Sequence, residues 1–456
     1  MSTAVVPGST DYAWGNPGTG WETLTSEEQT RVLDSGVRHW KQIHEKVPTY
    51  NERWRPLRPI IMTSSQWAAL HALADRVSAL ILQACQRRAR TAGELRIALG
   101  VPEGRIRLLH EDEVLSEELL ISSRPDILFA GGVPKFVEFN IDGALGGAFD
   151  SDNLATAFAA AFATDSVPDL YSVPMANRGR LETINAWLGD TDDRAVAMVM
   201  DWSVGHAGPT EPREFLKYLQ PVADQAATIG FELIPFWLHM VEKSVDDRLL
   251  VDGREINHVW RMFVPDTAPP TDGRDAIEAV VNAGNLRCFT SSASWLLTNK
   301  LVLAWLWEDL PLLSAADAEI VRAHIPRTLL LTSDLVADAV ARQTELVLKP
   351  EDGSSGRDVL IGRDTTADEW RTGVERGVAD GTFLLQELVD SDRLPMDFID
   401  IHTEEVVRQG VPCCFGPYLF GHQQCGGEVR MGFPGGGAVM NVGRGALVDG
   451  FALIDR

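Results

Sequence analysis

Residues 124–147, RPDILFAGGVPKFVEFNIDGALGG, constrain the fold more than any other stretch of this chain. Asp126 to Phe129 and Lys135 to Phe139 read as strands joined by Gly131-Gly132, with a glycine-rich loop after them. Side chains alternate across a strand, so Glu138 and Asn140 share one face while Lys135, Val137 and Phe139 take the other. Asp126, on the neighbouring strand, adds a second acid. Carboxylate and amide oxygens grouped in this way suit Mg²⁺, which fills its remaining positions with water and phosphate oxygens. Glu-x-Asn alone is also an ordinary solvated face, so the rest of the chain must supply the other half of such a site.

At 456 residues the chain exceeds one compact core, and two or three domains are expected. The 45% hydrophobic and 23% charged fractions are those of a globular enzyme. No uninterrupted apolar run is long enough for a transmembrane helix, and the N-terminus lacks the basic-then-apolar pattern of a signal peptide, so a cytoplasmic protein is expected. A net charge of −24 argues against nucleic acid and anionic membrane as partners. An anionic substrate such as ATP would need a local basic pocket. The five cysteines show no metal-ligand spacing and read as inert thiols. Oligomeric state is not legible.

In chain order, Thr25-x-x-Glu28 is a capping box opening a helix to about Glu45. Ser64 or Ser65 is expected to cap a helix from Gln66 to Arg88, packed through Leu70, Leu73, Val77, Leu80 and Ile81. A helix is expected from Ser151 to Ala163, and 194–202 (RAVAMVMDW) reads as a buried parallel strand. Ser203 and His206 follow its carboxyl end, where α/β sheets bind ligands; a satisfied loop histidine is the plainer alternative. A helix over 211–229 and a strand over 231–237 complete a βαβ unit, and 248–263 is expected to be a hairpin turning at Asp252-Gly253. Lys300 interrupts a strongly apolar helix, where a lysine either snorkels or meets a buried anion. In 344–363 a strand ends at Lys349-Pro350 and leads into Gly353, Ser354, Ser355 and Gly356, small residues that let backbone N–H groups approach phosphates. The lysine precedes the glycines, so this is not a Walker A loop. The strand in 382–390 carries Gln386 and Glu387. The glycine-dense segment 418–456 reads as short strands and turns, with Arg430, Asn441 and Arg444 available for anions.

Three spaced blocks together resemble ATP-grasp ligases, and specifically the circularly permuted branch of the glutathionylspermidine synthetase family. They are Arg124-x-Asp126 with Glu138-x-Asn140 after it, Asn299-Lys300 opening a helix that ends Leu306-Trp307-Glu308, and Lys349-Pro350 with Gly353 and Gly356. Val259-Trp260-Arg261 is also similar to that family. Asn140-Ile141-Asp142 matches the family's Asn-Ala-Asp, but Gly143-Ala144 replaces its Thr-Pro, and Gly353-Ser354-Ser355-Gly356 replaces its Gly-Arg-Glu-Gly. The resemblance implies an α/β (α+β) ATP-grasp fold in permuted order. Its expected parts are a mainly helical region (1–115), a magnesium portion (116–190), a βαβ substrate subdomain (191–295) and a nucleotide portion (296–456).

The resemblance further implies ATP and Mg²⁺ as cofactors and a small carboxylate and an amine as substrates, joined through an acyl phosphate. Asp126, Glu138 and Asn140 would hold the metal. Lys300, Lys349 and residues 353–356 would hold the phosphates. Gln386 and Glu387 would meet adenine and ribose, and Arg124 would stabilise the transferring phosphoryl group, a structural pair with Asp126 or Glu138 being the alternative for it. Ser203, His206, Arg430 and Asn441 are weaker substrate candidates. A thiol or hydroxyl acceptor, or a nucleotide-binding module without turnover, are the alternatives.

Overall fold

A computed structural model describes residues 14–45, 51–165, 171–201, 216–264, 266, 268, 270–353, 356–436, 440, 442 and 445–456. Helix α1 (Ser26–His44) starts at the Thr25 capping box, both of whose reciprocal bonds form. Helix α2 (Ser64–Gln86) is capped one residue earlier than expected. Thr63 is still extended and its hydroxyl accepts from Gln66 N, so Ser64 is already helical. By length and composition α2 is apolar enough to cross a membrane, but its apolar stripe lies in the largest core cluster.

Strands β1 (Ser122–Ala130) and β2 (Val133–Ile141) form the expected hairpin. Gly131 and Gly132 both have positive φ, +58° and +75°, as the two-residue turn matching strand twist requires. Asp126 pairs with Glu138 and Arg124 with Asn140, while Ile127 pairs with Phe136. Val137 is therefore the extra residue of a β-bulge. The bulge corrects the simple alternation: Val137 lines the same cleft as Glu138, while Phe136 and Phe139 are both buried.

Beyond α3 (Ala148–Thr164) and α4 (Ala176–Leu188) lies a parallel sheet. It contains β3 (Ala195–Met200), β4 (Glu232–Trp237) after α5 (Gln220–Ile229), β5 (His258–Met262), and β6 (Arg287–Phe289) after α6 (Asp272–Asn282), in the order β6-β5-β3-β4. Every residue of β3 is buried, as a parallel strand covered on both faces should be. The hairpin expected over 248–263 is shorter. Leu249–Val251 pairs with Arg254–Ile256 across Asp252-Gly253, and the chain then leaves to form β5.

Helix α7 (Leu301–Glu308) opens after Asn299-Lys300 and ends at Glu308, as the motif spacing suggested. Lys300 is its N-cap residue, after the 3₁₀ turn Ser292–Thr298, so the lysine begins the helix instead of interrupting it. An antiparallel sheet follows, made of β7 (Thr328–Leu330), β8 (Leu346–Pro350), β9 (Leu360–Ile361) and β10 (Phe383–Glu387), in the order β7-β10-β8-β9. Helix α8 (Ala367–Asp380) packs against it, Trp370 and Val374 meeting Leu348, Phe383 and Leu385.

The remaining strands are β11 (Arg393–Asp400), β12 (Val406–Phe420), β13 (Gln423–Met431) and the short β14 (Leu447–Asp449); within 418–456, β13 is longer than the short strands expected there. The first half of β12 pairs with β11; the second half lies between β13 and β1. One seven-stranded sheet thus joins β1 and β2 to the last quarter of the chain. The whole is a mixed α/β fold built on several sheets.

Candidate active site

The exposed face of β2, β1, β12 and β13 is the floor of a cleft. Residues directly opposite in an antiparallel pair share a face, so the register puts Arg124, Asp126, Glu138 and Asn140 together. On β13, Glu428 and Arg430 join them from the far side of β12. Arg430 Nη2 lies 2.5 Å from Asp126 Oδ2, and Arg124 Nη1 lies 2.6 Å from Glu428 Oε2. Arg124 crosses β12 at Gly416, where an added Cβ would stand 2.8 Å from Arg124 Cδ. Only glycine leaves that path open. Arg124 also donates to Gly146 O at 3.0 Å, and its buried Nε has no hydrogen-bond partner. Burial works against ionisation of Asp126, but Arg430 and Arg124 beside it hold its carboxyl below the usual range.

The β8–β10 sheet is the opposite wall. Lys349 Nζ donates to the Val137 carbonyl at 2.8 Å and to Gln386 Oε1 at 2.9 Å. The first acceptor is the carbonyl of the bulge residue itself. Burial lowers the Lys349 ammonium to about 8, Glu138 opposing and Lys300 adding to the shift. Gln386 is buried and also donates to Thr328 Oγ1 at 3.0 Å, so its amide orients the lysine. Glu387 is exposed and lines the cleft beside Leu388 and Val389. Lys300, 6% exposed, lies 3.0 Å from Glu138 Oε1 and donates to Gly353 O at 2.7 Å.

The cleft encloses about 1950 Å³ of empty space, open solvent at its mouth included. Its solvent-sized interior is about 500 Å³, within the ~300–1,000 Å³ of a single-ligand pocket. Arg124, Asp126, Glu138, Asn140, Lys300, Lys349, Gly353, Gly356, Gln386, Glu387 and Arg430 all line it. Ser203, His206, Ser354, Ser355 and Asn441, with Arg444, lie outside the described residues. Among the described residues no group of three Asp, Glu, His or Cys side chains is arranged to hold a metal. The donor set is two carboxylates and one amide, which fits Mg²⁺ completing its shell with phosphate oxygens.

Two features were not read from the sequence. Glu428, the partner of Arg124, carries the same two-residue spacing to Arg430 that marks Glu138 and Asn140. Asp142 and Arg261 form a buried pair, Arg261 Nη2 to Asp142 Oδ2 at 2.6 Å and Nη1 to Oδ1 at 3.1 Å. It fixes the loop after β2 to the carboxyl end of β5. Trp260 Nε1 donates to Gly143 O at 3.1 Å, and Arg180 Nη2 to Leu145 O at 2.9 Å. The five cysteines are free. Cys414 lies in the cleft floor, and burial pushes its thiol up to about 12, so it stays neutral.

No family model and no curated protein matches the chain. Among solved structures, it is similar to a glutathione synthetase-like effector, GSS30, from Globodera pallida, at 12% identity and TM-score 0.57, covering 93% of this chain and 97% of that one. A putative gamma-glutamylcysteine synthetase from Methylobacillus flagellatus matches at 12% identity and TM-score 0.44, over 72% of this chain and 79% of that one. D-alanyl-alanine synthetase A from Vibrio cholerae matches at 13% identity and TM-score 0.28, over 49% and 68%. The likeness to the effector, end to end on both chains, is a likeness of fold.

Proposed function

We propose that the chain is an ATP-dependent carboxylate–amine ligase, working in the permuted ATP-grasp order that the sequence motifs suggest. One observation carries the reading. A strand face bearing Asp126, Glu138 and Asn140 lies across a single cleft from two buried lysines that come from different elements. Phosphoryl transfer needs positioning and charge stabilisation more than covalent help from the protein, and these are the groups that supply both.

Asp126, Glu138 and Asn140 would hold Mg²⁺, which supplies charge neutralisation on the nucleotide phosphates. Lys300 and Lys349 bind phosphate oxygens, Gln386 orients Lys349, and Glu387 faces the adenosine end. A carboxylate oxygen of the acid substrate attacks the γ-phosphorus and ADP leaves, giving an acyl phosphate. Arg124, turned into the floor by Gly416 and Glu428, stabilises the charge that develops there; its planar fork suits paired oxygen contacts. The amine nitrogen then attacks the acyl carbon, phosphate leaves and the amine proton is lost. Arg430, which lines the cleft beside Asp126, is the candidate to meet the acid substrate. A small amino acid or peptide of γ-glutamyl type is the proposed acid.

The test is an ADP-release screen of the pure protein against amino acids and amines in pairs. Release requiring both partners supports the ligase. Release with a thiol or alcohol in place of the amine would change the acceptor. Nucleotide binding without turnover on any pair would favour a regulatory module. In the active pair, Glu138→Gln should lower kcat at least ~100-fold without unfolding the protein, and near-normal turnover would remove the metal assignment.

A further inference from the structure

The carboxylates of the candidate metal site are already paired with cations of the chain. Lys300 Nζ is 3.0 Å from Glu138 Oε1, and Arg430 Nη2 is 2.5 Å from Asp126 Oδ2. The Lys300 pair is almost fully withdrawn from solvent on the lysine side, where the side chain is 6% exposed, and Glu138 is 26% exposed. A divalent ion on the Glu138 oxygens would stand within a few ångströms of that ammonium. Two like charges so close in a poorly hydrated cleft repel strongly. A metal on Glu138 therefore weakens the ammonium's hold on that carboxylate. Its alternatives are set by its surroundings: one of its N–H groups already donates to Gly353 O at 2.7 Å, at the start of the phosphate loop. A small movement along the same cleft wall carries it from carboxylate to phosphate.

We infer that Lys300 is a stand-in cation, which neutralises Glu138 before the metal arrives and transfers to the nucleotide phosphates when it does. This rests on the ATP and magnesium reading above and adds to it how the two ligands are coupled. Without nucleotide, Lys300 competes with the metal for Glu138. With nucleotide, the phosphates draw it away. Each ligand then raises the other's affinity by the same factor, as linkage demands. Lys349 does not share this role, because its ammonium is held by two neutral acceptors, the Val137 carbonyl and Gln386.

The experiment titrates Mg²⁺ calorimetrically into the nucleotide-free, full-length protein. Lys300→Met, which removes the competing charge, should bind Mg²⁺ about tenfold tighter than wild type. Lys300→Arg, which keeps the charge, should not. In a Glu138→Gln background the gain should vanish. For ATP alone the order reverses, with Lys300→Met about tenfold weaker. An ordinary phosphate-binding lysine would change the second measurement and leave the first untouched. Magnesium affinity in Lys300→Met no tighter than in wild type, undetectable binding in both included, overturns the inference. Because the magnesium titration contains no nucleotide, it can fail while the ligase reading stands, and absent ADP release would sink the ligase reading alone.

Discussion

Lys349 shows how far a single residue can be argued. Burial carries its ammonium from an ordinary 10.5 to about 8. In the free protein the charge that would hold phosphate is present below about 8 and is lost as pH rises through that value. Nucleotide affinity should therefore fall above pH 8, approaching ~tenfold per pH unit. Lys349→Arg, whose guanidinium does not titrate there, should flatten the profile. Stability runs the other way: between about 8 and 10.5 the unfolded chain binds a proton the folded one lacks, so this residue's contribution grows with pH across that window. Nucleotide titrations and thermal melts from pH 7 to 10 check both signs. A flat wild-type affinity would show that Lys349 does not meet the nucleotide. At this scale Arg124, Asp126, Glu138, Asn140, Lys300 and Lys349 were legible in the sequence as candidates, because polar residues at strand spacing and a lysine among apolar neighbours are local signals, and all six line one cleft. Glu428 was not, because nothing local says which arginine it will meet across β12.

Secondary-structure elements were legible where the determinant is a short pattern. The Thr25–Glu28 capping box and the Gly131-Gly132 turn formed as read. The Val137 bulge was not visible, since its cause is the register of a partner strand. The separation of β5 from the preceding hairpin was equally hidden, because β5 pairs with β3 about sixty residues earlier. The length of β13 was underestimated, because glycines such as Gly427, which packs against Trp67 and Phe451, serve close approach in a strand and not a turn. Gly416→Ala tests that role. The new methyl meets Arg124 Cδ at 2.8 Å. The substitution should cost ~1–3 kcal/mol of stability by overpacking and should lower turnover far more, by displacing Arg124. A melt with activity assays separates the two, and unchanged turnover would mean that Arg124 acts from elsewhere.

On the scale of the whole molecule, the cleft is assembled from 124–140, 300, 349–387 and 428–430, segments brought together by two sheets and the N-terminus of α7. That these blocks meet in one cleft was expected from the family resemblance and from no local pattern, because it depends on the docking of whole sheets. One contact between the large sheet and the parallel sheet is the Asp142–Arg261 pair, both side chains almost wholly buried, at 2% and 1% exposure. Arg261→Met would strand a buried carboxylate and should destabilise the protein by ~3–5 kcal/mol. The double variant with Asp142→Leu should recover much of that loss. Chemical denaturation measures both, and a single variant as stable as wild type would show that the pair does not hold the sheets together.

The bulge at Val137 has an evolutionary consequence. An insertion of one residue into a hairpin strand can arise in one genetic event. For the hairpin alone, deletion of Val137 would reverse it: Phe136 and Glu138 would become neighbours, their pairs with Ile127 and Asp126 would close up, and Glu138 and Asn140 would still face the cleft while Pro134 and Phe136 stayed in the core. The deletion would, however, take away the carbonyl that accepts from Lys349. Once a lysine has come to rest on it, the extra residue is retained by its partner across the cleft and not by the strand that carries it.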